Sequence, residues 1–101
     1  MSISMTTTAS TFVSTPGEIL REEFLEPLKI SAYKLAHAMH VSETAVGEIL
    51  HGKRSITVPM AHRLGFALGT TADFWLTLQM DYDERTFDDS GIRQEVKRLV
   101  A

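Results

Sequence analysis

Between residues 42 and 54 the chain places hydrogen-bonding side chains at the spacing of one helix face. These are Ser42, Glu43, Thr44, Gly47, Glu48 and His51, with Lys53 and Arg54 directly behind. Offsets of one, four, five and eight residues from Glu43 bring the helical members to the same side. No nucleophile stands beside a base here, so the chemistry on offer is recognition. The two cations suit phosphate. The hydroxyls and carboxylates suit the donor and acceptor pattern that base pairs present in the major groove, where a carboxylate can accept from cytosine N4. Gly47 removes side-chain bulk where a duplex would come close.

Other chemistries have less to stand on. With no cysteine in 101 residues there is no disulfide, thiolate or cysteine-based zinc site. His37 and His40 form an i, i+3 pair, but spacing places no further ligand beside them, so no metal is expected. No glycine-rich phosphate loop and no nucleophile motif occurs, so neither a cofactor nor an enzyme is expected. No apolar run approaches the eighteen or so residues of a membrane span, and the N-terminus lacks the pattern of a signal peptide. A soluble, cytoplasmic protein of a single domain is the expectation.

The elements that must position the recognition face follow from the stretch SAYKLAHAMHVSETAVGEILHG. Apolar residues at Leu35, Ala36, Met39, Val41, Val46, Ile49 and Leu50 keep helical spacing, interrupted once around His40 to Ser42. Ser31 and Ser42 stand at N-cap positions, and Gly52 suits the left-handed end of the second helix. The spacing thus predicts a helix-turn-helix over residues 31–51, with Val46 and Ile49 anchoring the second helix on the first. The same pattern also suits an ordinary helical hairpin in an all-α core.

The net charge of −3 conceals a separation of sign. Residues 29 to 63 carry Lys29, Lys34, Lys53, Arg54 and Arg63 against Glu43 and Glu48, while residues 73 to 89 carry Arg85 against six carboxylates. The helix-turn-helix is therefore the positive part of an acidic chain, and local sign governs phosphate attraction because charge is screened beyond roughly 8 Å at physiological salt.

In chain order, residues 1–15 are uncharged and rich in Ser and Thr, which predicts a disordered arm. Phe12 and Val13 are candidates for docking. Pro16, Gly17 and Glu18 open a first helix whose stripe is Ile19, Leu20, Phe24 and Leu28, and Pro27 is expected to end it near Glu26. A fourth helix follows the Thr57 cap, buries Met60, Ala61, Leu64, Ala67 and Leu68, and ends at Gly69. Thr70 or Thr71 caps a fifth, with Phe74, Trp75, Leu78 and Tyr82 at helical spacing. Ile92, Val96, Leu99 and Val100 suggest a last amphipathic helix. The division expected is an arm (1–15), a helix-turn-helix domain (16–88) and a helical tail (89–101).

Residues 16 to 82, about two thirds of the chain, resemble antitoxins of the HigA (VapI) family within the Cro/C1 (XRE) helix-turn-helix class. The resemblance rests on PGEILREEFLEPL, LAHAMHVS, EILHGKRSIT and ALGTTADFWLTLQMDYD; Phe74, Trp75 and Leu76 in the last string are its most discriminating residues. It implies an all-α, five-helix lambda-repressor-like domain, here followed by a short C-terminal helix. It also implies a homodimer that binds double-stranded operator DNA to repress its own operon. The partner implied is a HigB toxin resembling the RelE ribonucleases, neutralised by direct binding within a type II toxin-antitoxin module. A stand-alone transcriptional regulator of the same fold is the alternative.

The chain departs from the class in three places. His40 stands at the corner where Gly is common, Ala32, Glu43 and Thr44 replace the Gln often found at helix starts, and Gly47 replaces a small polar residue. Glu43 and Glu48 are expected to alter sequence preference rather than to abolish binding. One helix-turn-helix reads few base pairs, so two must be held about 34 Å apart by a two-fold dimer. Trp75, Leu78, Tyr82, Ile92 and Val96 are the apolar candidates for that interface. Glu22, Glu23 and Glu26 are the candidates for a basic toxin, and the acidic stretch from Asp81 to Asp89 is a second choice.

Overall fold

The computed structural model describes residues 14–101 and is built of helices throughout. The arm expected over residues 1–15, with Phe12 and Val13, lies outside the described residues apart from its last two positions. Helix α1 spans residues 16–28, α2 Ala32–Met39, α3 Glu43–Leu50, α4 Val58–Leu68, α5 Ala72–Thr86 and α6 Ser90–Glu95.

Local sequence sets almost every boundary. Thr15 caps α1 in a capping box, accepting from the Glu18 N–H at 3.1 Å while the Glu18 carboxylate accepts from the Thr15 N–H at 3.0 Å. Ser31, Ser42, Thr57 and Thr71 cap α2 to α5 through the same hydroxyl acceptance. At the other ends Lys29, His40, Gly52 and Gly69 adopt the left-handed conformation. After Gly52, the Lys53 N–H returns to the Glu48 carbonyl at 2.8 Å and the Gly52 N–H to that of Ile49, a Schellman turn. The second helix therefore ends at Leu50 with His51 as its cap, two residues short of Gly52.

Helix α1 does not stop before Pro27. It continues to Leu28 because residues Leu20–Leu25 widen into π geometry. A proline ring crowds the carbonyl four residues back and offers it no N–H, and a widened turn relieves both. The wider turn also changes which residues share a face. Leu25, five positions after Leu20, joins it in the core, whereas Leu28, expected on the stripe, is exposed.

The core is centred on Trp75, which has no exposed surface. Its ring lies 5.2 Å from that of Phe24 and 4.9 Å from that of Phe74, and its indole N–H donates to Thr70 Oγ1 at 2.7 Å. Leu20, Leu35, Val46, Ile49 and Leu64 complete the enclosed set. Ala67, expected on the buried face of α4, is exposed. Every residue from 83 to 101 is exposed. The last helix is shorter than the pattern implied, since Val96 is already extended and Leu99 and Val100 lie beyond it. Asp88 just before α6 has its carboxyl held below the usual range by the Ser90 backbone N–H first and the Ser90 side chain second.

Candidate nucleic-acid interface

Helix α3 turns Ala45, Val46 and Ile49 inward and leaves Glu43 and Thr44 exposed and Gly47 and Glu48 half-buried. His51, Lys53 and Arg54 continue that outer face, all exposed. The residues picked out by spacing alone thus share one outward surface, and each has a distinct local setting.

Ser42 accepts the Ala45 N–H at 3.0 Å, which leaves its own O–H to donate outward. Glu43 occupies the first turn of α3, where the helix dipole favours a carboxylate. At Gly47 an added Cβ would meet nothing within 4 Å, so the fold itself does not require glycine there. His51 Nδ1 lies 2.7 Å from the Gly47 carbonyl; a carbonyl only accepts, so Nδ1 carries the proton and Nε2 points away from the helix. Arg54 Nη2 and Nε lie 2.7 and 2.9 Å from Glu48 Oε1, so these two residues neutralise each other on the surface. Lys53 is in no ion pair among the described residues.

The corner between α2 and α3 forms as the sequence required. His40 takes φ 58°, and the Val41 N–H reaches back to the Ala36 carbonyl at 3.1 Å. Arg63 of α4 donates to the Met39 carbonyl at 2.6 Å, adding a cation at the C-terminal end of α2. His37 stacks on Tyr33 with ring centroids 5.8 Å apart, on the exposed side of α2.

Three positioning residues escape a reading of spacing. Gly17 lets α1 abut the end of α3: a Cβ there would lie 1.9 Å from the Ile49 carbonyl oxygen. Gln79, buried in α5, accepts the Ile56 N–H at 2.8 Å and so ties down the loop that carries Lys53 and Arg54. Arg21 bonds the Leu50 carbonyl at 3.5 Å. The glycine in PGE was the one available signal; Gln79 is an i+4 neighbour of Trp75, but a polar residue gives no apolar pattern.

Among the residues expected at a dimer contact, Trp75 has no surface to give to a second protomer, because it fills the protomer's own core. Leu78 and Tyr82 are half-buried, and Ile92 and Val96 are exposed. Spacing also overlooked an open groove of about 660 Å³ on another face of α5, where Val58, Leu76, Met80 and Phe87 are bordered by Gln79, Asp83 and Glu84. Leu76 and Met80 stand one turn apart on α5, and Phe87 is the extended residue that follows the helix. Glu22, Glu23 and Glu26 are exposed on α1, with Arg21 3.6 Å from Glu22 and 4.0 Å from Glu26.

No family model matches the chain. Virulence-associated protein I of Dichelobacter nodosus is 48% identical over 68 residues, covering 67% of this chain and 63% of its own length. The HTH-type transcriptional regulator YbaQ of Escherichia coli K12 is 43% identical over 70 residues, covering 69% and 62%. The chain therefore spans somewhat under two thirds of these two relatives. Antitoxin HigA-1 of Vibrio cholerae is 43% identical over 84 residues, covering 83% of this chain and 77% of its own. Among solved structures, Pseudomonas aeruginosa antitoxin HigA with the higBA promoter superimposes with TM-score 0.80 at 39% identity, over 88% of this chain and 100% of that one. Antitoxin GraA in complex with its operator does so with TM-score 0.79 at 42% identity, over 89% and 94%.

Proposed function

Because the chain belongs to the HigA antitoxin family of helix-turn-helix proteins, we propose that it acts by binding rather than by catalysis: as a dimer it occupies operator DNA, and it neutralises a HigB-type toxin. Helix α3 enters the major groove. Ser42 and Lys53 hold phosphate, and Thr44, Glu48 and His51 face base edges. The observation that carries this reading is the outward face of α3, which is built from polar residues around a glycine the fold does not need. Leu78, Tyr82, Ile92 and Val96 form the contact between protomers, and the groove at Met80 and Phe87 is the alternative surface for it. Glu22, Glu23 and Glu26 form an acidic patch for a basic toxin. Residues 16–88 make up the DNA-binding domain and residues 89–101 the tail.

A gel-shift series with duplex from upstream of the gene tests the first part. Lys53→Ala weakens binding to every duplex and lowers the salt dependence by about one phosphate contact, whereas Thr44→Ala changes the preferred sequence. No loss of affinity for Lys53→Ala at low salt would refute the phosphate role. A stand-alone regulator is the second reading, favoured by the likeness to YbaQ. Co-purification with the product of an adjacent reading frame, lost on charge reversal of Glu22, Glu23 and Glu26, separates the two.

A further inference from the structure

One pair of opposite charges on the outer face of α3 deepens the operator reading and rests on it. Glu48 and Arg54 stand six residues apart, and only the Gly52 turn folds the chain back far enough to bring them together. Residue 48 is gripped twice. Its main-chain carbonyl accepts the Lys53 N–H at 2.8 Å, and its carboxylate Oε1 accepts both Nε and Nη2 of Arg54. Two donors converge on one oxygen. Among the described residues, Oε2 of Glu48 and Nη1 of Arg54 have no partner, and both side chains keep two fifths or more of their surface exposed.

We propose that Glu48 and Arg54 act as one unit that reads a C·G base pair. A carboxylate alone would be repelled by the phosphates lining a groove; Arg54 neutralises it and holds it by one oxygen. The other oxygen accepts from cytosine N4, and the remaining guanidinium donors face guanine O6 and N7. Guanine and thymine offer only acceptors at that place and repel Oε2, while the adenine N6 donor comes with N7 as an adjacent acceptor. Arg54 is thereby assigned to sequence choice rather than to a phosphate grip shared with Lys53.

The test is selection from a pool of randomised duplexes by the full chain and by the variants Glu48→Gln, Arg54→Ala and Glu48→Ala/Arg54→Ala, with affinities measured on the winning sequence. Glutamine pairs with adenine, so Glu48→Gln is expected to change one C per half-site to A and to leave other positions alone. Arg54→Ala erases the preference at that same position and weakens binding roughly tenfold. The double variant binds more tightly than Arg54→Ala, because no unpaired carboxylate is left. Should Glu48→Gln leave the selected sequence unmoved while Arg54→Ala weakens every duplex alike, the paired reading is wrong and operator binding stands. Should the unaltered chain enrich no sequence at all, operator binding itself falls, and this inference with it.

Discussion

Gly47 sits in the middle of α3 with open space where its side chain would be. Glycine inside a helix costs about 1 kcal/mol relative to alanine, and no contact within the protomer offsets that cost. Gly47→Ala is therefore expected to raise the thermal midpoint, by roughly 4–8 °C for each kcal/mol in a domain of this size. The same change places a methyl on the surface proposed to approach the duplex and is expected to reduce operator affinity. Calorimetry and gel shifts on one preparation check both signs, and a variant no more stable than its parent would show that the helix already tolerates the glycine. Glu48 makes a different point: the partner that neutralises its charge, Arg54, is six residues away, across a turn. No helical spacing rule reaches that far.

At the scale of elements, the helix-turn-helix was legible because its determinants are local. Ser31 and Ser42 cap, His40 turns the corner, and Leu35, Ala36, Met39, Val46 and Ile49 bury as their spacing required. Helix α1 was not, because the π turn rotates everything after it. Leu25 replaced Leu28 in the core for a reason that 3.6-residue periodicity does not carry. Gln79 escaped for another reason, since a buried polar residue is explained only by the loop it holds. The packing of α1 on α3 depends on Gly17. Gly17→Ala would drive a methyl into the backbone carbonyl of Ile49, which has no side-chain freedom to yield. A loss of about 1–3 kcal/mol or more is expected, with a matching fall in the denaturant midpoint. An unchanged midpoint would mean that the helices separate without cost.

For the whole molecule, one end differs in kind from the rest. Phe87, Ile92, Val96, Leu99 and Val100 are each at least half exposed on a segment that its own protomer does not cover. Trp75 was an unsuitable choice for the interface because the protomer's core already encloses it, whereas the tail offers apolar surface freely. Ile92→Asp together with Val96→Asp should convert a dimer into monomers in light scattering and reduce operator binding to that of a single half-site. Retention of the dimer would move the interface to the groove around Met80 and Phe87. The tail residues Ile92 and Val96 were legible as interface candidates in the sequence, but the groove was not, because an exposed apolar stripe and a buried one look alike until the partner helix is in place.

The widened turn in α1 has a consequence for how such chains can change length. Helix α1 is pinned at two places, by Gly17 against the backbone of α3 and by Leu25 in the core. Each residue added or removed between them would swing one pin about 100° around the axis relative to the other. The eight-residue interval is thus a ruler. Insertions and deletions should collect outside it, even though a deletion within it would restore regular helical hydrogen bonding.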